Sequence, residues 1–218
     1  MKRNNSNKIK ALIFDIGGVL VLSKSQTVSY KRYKRTLGVH NYIVKKLNIS
    51  IDQWFDAIDR TYTLAIEGKI SKEKALNLIS KNLNISVKKL ENLLIKAYRD
   101  NFKQNKFLYN IVSKLKKQGY KVAILSDQWQ VSKKAVISES QIKQFDVSVV
   151  SCDVGIRKPN PKIYFLTLKR LNLKPNQTVF IDNQSWNIKP AKKIGMNTIL
   201  FKDNNQLIKQ LKKLGVRV

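Results

Sequence analysis

The sequence predicts an α/β protein, a doubly wound parallel sheet with an all-helical insert after its first strand. Five short apolar runs, beginning at Ala11, Tyr120, Val147, Thr178 and Asn197, are bounded by turn signals and read as buried strands. Helical patterns separate them, as parallel neighbours require. From about Lys24 to Asn101 the pattern is helical with no strand-like run.

The first strand, Ala11-Leu12-Ile13-Phe14-Asp15, stops at an acid followed by Ile16-Gly17-Gly18-Val19-Leu20. An acid there stands at the carboxyl end of a strand, where open α/β sheets collect ligands. Glycines let backbone N–H groups come close to a bound anion. Asp15 is thus placed as a nucleophile or metal ligand beside a phosphate cradle; the plainer alternative is an acid that caps a turn. In the insert, Ser50 and Ser71 are helix-start signals. Apolar residues at 87, 90, 93, 94 and 97 form a helical stripe. Trp54, Phe55, Tyr62 and Tyr98 either form the interior of this bundle or line its inner face.

A helix ending at Gly119 leads into the second run, which closes on Ser126-Asp127. The third runs from Val147 to Ser151. Then Gly155-Ile156-Arg157-Lys158-Pro159-Asn160-Pro161 sets a lysine just before a proline-started helix. The fourth run ends on Asp182-Asn183, and Asn197–Phe201 with a helix from Gln206 to Leu214 closes a five-stranded parallel core. Strand ends therefore bring Asp15, Ser126, Lys158 and Asp182-Asn183 to one sheet edge. An acid nucleophile, a hydroxyl donor, a cation and hard oxygen ligands are what phosphoryl transfer through a carboxylate needs.

Phe14-Asp15-Ile16-Gly17-Gly18-Val19-Leu20, Val154-Gly155-Ile156-Arg157-Lys158-Pro159 and Asn187-Ile188-Lys189-Pro190-Ala191-Lys192-Lys193-Ile194-Gly195-Met196, in this order, resemble the haloacid dehalogenase-like (HAD) superfamily. The subgroup that looks closest holds small sugar-phosphate phosphatases and the N-terminal phosphatase domain of soluble epoxide hydrolases. The resemblance covers nearly the whole chain after residue 8. It implies a HAD-like Rossmannoid core formed by residues 9–23 and 102–218, with residues 24–101 as a helical cap subdomain that closes over the site. It implies a Mg²⁺-dependent phosphohydrolase of a small phosphorylated substrate, working through an aspartyl-phosphate on Asp15. Ser126 and Lys158 would hold the phosphoryl group, together with Ile16 and Gly17 of the cradle. Mg²⁺ would sit on Asp15, the Gly17 carbonyl and Asn183. Asp182 would pair with Lys158, and Asp127 and Asn187 would stand behind these residues.

Three positions depart from the family pattern. Gly17 replaces the usual second aspartate, the general acid and base, which is worth roughly 10²–10⁴-fold in rate; some HAD phosphatases also carry glycine there. Asn183 replaces an aspartate and brings no charge to a metal. Asp127 replaces an asparagine, and is expected either to cap the helix beginning near Gln128 or to serve as a substitute acid. The alternatives are a weak or inactive HAD-like protein that binds phosphate or nucleic acid, or a hydrolase of a different bond.

The 218 residues suffice for one core and a subdomain. No apolar run is long enough for a membrane span, and Asp15, within Ala11–Leu22, argues against reading the basic start and this run as a signal peptide. Cys152 is the single cysteine, so no internal disulfide forms, which fits a cytoplasmic location; on a strand end it reads as a small packed side chain. His40 reads as a structural or solvated residue between cap helices. The net charge of +29 admits a nucleic-acid partner. The lysines look scattered through every helix, however, with Lys31–Arg35 and Lys114–Lys117 resembling solvated faces. Compositional bias is therefore favoured over a polyanion partner.

Overall fold

A computed structural model describes residues 8–24 and 38–218; the Lys31–Arg35 run and the polar start of the chain lie outside them. The sheet is built from β1 (Ala11–Phe14), β4 (Lys121–Ser126), β5 (Val147–Val150), β6 (Thr178–Asp182) and β7 (Asn197–Leu200). All pairs are parallel, in the order β5-β4-β1-β6-β7. With β1 central, the chain winds first to one side and then to the other. The switch point, where such sheets bind ligands, falls at the end of β1.

Strand alternation explains the layers. Ala11 and Ile13 join Ala123, Leu125 and Phe180 beneath α9 (Pro161–Leu171) and α10 (Ser185–Lys193). Leu12 and Phe14 join Val122, Ile124, Val179 and Ile181 on the other face, beneath α5 (Lys106–Lys117) and α11 (Asn204–Lys213). All four β1 residues are fully buried, as expected of a central parallel strand covered on both sides.

Among the described residues, four helices lie between β1 and α5: α1 (Gly38–Leu47), α2 (Ile51–Ile66), α3 (Lys72–Leu83) and α4 (Val87–Asn101). The hydroxyls of Ser50, Ser71 and Ser86 accept from the backbone N–H three residues on, and Gln53 completes a capping box with Ser50. Leu90, Leu94, Ala97 and Tyr98 of α4 are buried, and Trp54 is buried within the bundle. A strand pair missing from the sequence reading closes the neck of this insert. β2 (Val21–Ser23) runs antiparallel to β3 (Phe102–Gln104). Three residues each are too few to show a period of two. Among the described residues no helix is long and apolar enough to cross a membrane.

Several local expectations change. His40 lies on α1 rather than between helices, and its Nδ1 accepts from Trp54 Nε1 at 2.9 Å. Burial lowers its pKa to about 4. Cys152 stands in the first turn of the short helix α8 (Ser151–Val154), half-buried, with its pKa pushed up to about 12 chiefly by burial. The scattered lysines are also gathered: α5, α9, α10 and α11 each end on two or three basic residues at the N-terminal edge of the sheet.

Candidate active site

Asp15 follows the last residue of β1, and its carboxylate is almost wholly buried. Its Oδ1 accepts from the Ile16 N–H at 2.8 Å and faces Lys158 Nζ at 3.1 Å, leaving Oδ2 outside both contacts. Lys158 Nζ also lies 2.7 Å from Asp182 Oδ2 and donates to the Leu125 carbonyl at 3.3 Å. Asp182 in turn accepts from Asn187 Nδ2 at 3.0 Å and from the Gln184 N–H at 2.7 Å. Both Asp182 oxygens are thus used internally, and Asn187 fixes the one that holds the lysine.

These contacts set the charges. Burial lifts the Asp15 carboxyl to about 6, against the lowering pull of Lys158. Burial would lower the Lys158 pKa, but Asp15, Asp182 and Asp127 outweigh it and keep the ammonium charged well above its usual range. A buried cation between two carboxylates is costly to break, because loss of one partner leaves an uncompensated charge.

Of five buried side-chain atoms with no hydrogen-bond partner among the described residues, two, Ser126 Oγ and Asn183 Oδ1, belong to the residues that end β4 and follow β6. Nearly all buried polar atoms are paired, so such orphans mark where a ligand belongs. The Gly17 carbonyl receives none of the backbone hydrogen bonds that form the loop, whereas the carbonyls of Asp15, Ile16 and Val21 do. Asp15 Oδ2, Gly17 O and Asn183 Oδ1 are hard oxygen donors of the kind a divalent cation such as Mg²⁺ takes. The set carries a single negative charge. No group of three His, Cys, Asp or Glu that could hold a metal occurs among the described residues.

Asp127 does not cap the following helix. α6 (Gln130–Val136) starts at Trp129 with no side-chain cap. Asp127 Oδ1 instead accepts from the Lys158 N–H at 3.0 Å, tying the second strand end to the lysine loop. Burial raises its pKa, with Lys158 opposing.

Gln128, Glu67 and Trp129 near the site carried no signal in the sequence, whereas Tyr62 and Tyr98 were among the aromatics expected inside the helical insert or on its inner face. Gln128 Nε2 lies 3.9 Å from where a Gly17 side chain would begin. Arg157, beside Lys158 in the chain, pairs with Glu67 at the end of α2 at 3.2 Å. Trp129 Nε1 donates to Tyr98 OH at 3.2 Å, and the Tyr62 ring packs edge-on to Trp129. Tyr62 also lines a cavity of about 470 Å³ with His40, Phe55 and Asp59.

The family model for haloacid dehalogenase-like hydrolases matches residues 9–195. The chain belongs to this family. The HAD-like chain is 28% identical over 232 residues to bifunctional epoxide hydrolase 2 of pig (Sus scrofa), covering 96% of this chain and 40% of that protein. It is 33% identical over 91 residues to glyceraldehyde 3-phosphate phosphatase of Pyrococcus furiosus, covering 41% and 38%. It thus spans two fifths or less of these curated relatives. A solved HAD family enzyme from Bacteroides thetaiotaomicron, in complex with magnesium and inorganic phosphate, superimposes with a TM-score of 0.69 at 20% identity, covering 91% of this chain and 98% of that one. That likeness shows the fold. The protein is therefore a HAD-like hydrolase with a parallel five-stranded core.

Proposed function

We propose that this hydrolase is a Mg²⁺-dependent phosphatase of a small phosphorylated metabolite, with Asp15 as the nucleophile. The observation that carries the reading is the buried Asp15–Lys158–Asp182 array flanked by the unpartnered Ser126 hydroxyl. In the first step an Asp15 carboxylate oxygen attacks phosphorus, and the bond from phosphorus to the leaving oxygen breaks. In the second, water attacks the same phosphorus, releasing inorganic phosphate and the free carboxylate. Ser126 Oγ donates to a phosphoryl oxygen, and Lys158 neutralises charge on the group while orienting Asp15. Mg²⁺ on Asp15, the Gly17 carbonyl and Asn183 supplies further neutralisation of phosphoryl charge when bound. With glycine at position 17, the leaving oxygen departs without a proton from that position.

Helices α1–α4 act as the cap over this edge, and Arg157–Glu67 ties cap to core. The relatives support the reading: one is named a phosphatase of a three-carbon sugar phosphate, and a structure of the same fold holds magnesium and phosphate. Neutral Asn183 and Gly17 favour a second reading, a phosphate-binding protein with little turnover.

Asp15→Asn tests the assignment. Hydrolysis of an aryl phosphate should vanish while circular dichroism stays that of the parent. Wild-type turnover in the variant would rule out the covalent route. No turnover by the parent, with Mg²⁺ saturating, would leave the binding reading.

A further inference from the structure

We infer that the N-terminal edge of the sheet, remote from Asp15, is a nucleic-acid-binding face. In a doubly wound sheet each crossover helix runs antiparallel to the strands, so helices end where strands begin. Among the described residues, the chain segments at that edge are 8–10, 114–121, 143–147, 169–178, 192–197 and 212–218. They carry fifteen Lys and Arg, every one exposed, and a single acid, Asp146. Asp146 is already paired with Lys116 at 2.9 Å. The carboxylates of Asp15, Asp127 and Asp182 all lie at the opposite edge, gathered around Lys158.

Helix macrodipoles favour cations at helix C-termini, which accounts for the basic last turns of α5, α9, α10 and α11. They do not account for Lys8, Lys10 and Lys121, which flank strand starts, nor for the near absence of acids. Lys8, Lys10, Lys121 and Arg217 line a cleft of about 270 Å³ in the middle of this edge. Five strands at about 4.8 Å spacing make the face roughly 20 Å wide, enough to follow several consecutive phosphates rather than one small anion.

The occupant is a hydrated polyanion and not a membrane. The exposed large apolar residues Leu78, Phe107, Phe165, Trp186 and Leu200 all lie outside these segments, so the edge offers nothing to insert among acyl chains. Of the two aromatics there, Phe145 is buried, and Tyr120 is half-buried with its hydroxyl accepting from the Arg217 N–H. Binding therefore runs through the phosphate backbone without base stacking, and is insensitive to sequence.

The test is fluorescence anisotropy of the full chain with a labelled mixed-sequence RNA across a salt series. The edge variant is Lys10→Gln/Lys117→Gln/Lys193→Gln/Lys213→Gln. The control removes the same charge from the cap, as Lys74→Gln/Lys81→Gln/Lys88→Gln/Lys89→Gln. The edge variant should lose more than about tenfold in affinity, and its salt slope should fall by roughly 0.7 for each phosphate contact removed. The cap variant should stay within about twofold of the parent. Equal weakening in both would mean delocalised charge and overturn the proposal. So would an absence of RNA binding by the parent, or binding to phosphatidylserine vesicles in its place. None of these outcomes depends on the hydrolytic reading.

Discussion

A side chain on Gly18 would collide with the side-chain amide of Asn183. The two residues belong to loops after β1 and β6, neighbouring strands of the sheet. Gly18 has φ +78°, a conformation L side chains rarely adopt. The glycine therefore serves two needs, the loop's left-handed turn and the seat of Asn183.

Gly18→Ala should cost about 1–2 kcal/mol of stability from the left-handed backbone. It should also push Asn183 aside, reducing hydrolysis and Mg²⁺ affinity by about tenfold or more. Gly119→Ala is the control, because Gly119 has φ +85° and open space around its missing side chain. It should show the stability loss alone. Equal activities of the two variants would count against a functional seat for Asn183.

Asn183→Asp should tighten Mg²⁺ binding, since it adds a second carboxylate to a site with one. Lys158 keeps its pairing with Asp182 in this variant, so the array behind the site is preserved. Titration calorimetry checks it. Tight binding by the parent with no gain in the variant would place the metal elsewhere.

Leaving-group dependence probes Gly17. Aryl and acyl phosphates should be hydrolysed faster than alkyl phosphates by a factor approaching ~10²–10⁴, the usual worth of a general acid. Gly17 has ordinary backbone geometry, and an added side chain would meet only the Gln128 amide at 3.9 Å. Gly17→Asp should thus be accommodated and raise alkyl rates selectively. A flat dependence in the parent would point to Asp127 as the donor.

His40 gives a pH signature in the insert. Folded, its pKa is about 4; unfolded, it returns to about 6.5. Between those values the unfolded chain binds more protons, so the neutral imidazole's contribution is full above about 6.5 and is lost as pH falls through 4. The loss is at most about 3 kcal/mol. Asp15, raised to about 6, pulls the opposite way over this interval. The readout is therefore the difference in unfolding free energy between the parent and His40→Asn, which should shrink as pH falls from neutrality towards 4. A difference independent of pH would mean that His40 titrates as in free solution.

Much of this was legible in the sequence, for a physical reason. A central parallel strand must be apolar on both faces, so β1 announces itself as Ala11–Phe14, and its abrupt end at Asp15-Ile16-Gly17-Gly18 marks the carboxyl edge of the sheet. Serine caps at 50 and 71 are local interactions within four residues, so those helix starts can be read without the fold. Composition and pattern alone determined the α/β class, the helical insert and the chemistry delivered to one edge.

What depends on distant chain segments had to wait for the tertiary structure. Asp127 looked like a helix cap because capping is the local option; only the fold brings the Lys158 N–H, 31 residues away, to its oxygen. The β2–β3 pair joins segments about eighty residues apart and has too few residues to leave a pattern. The lysines that seem evenly spread along the chain are concentrated by winding, because every crossover returns its helix end to the same edge. Charge in a sequence is a total, and only the topology makes it a surface.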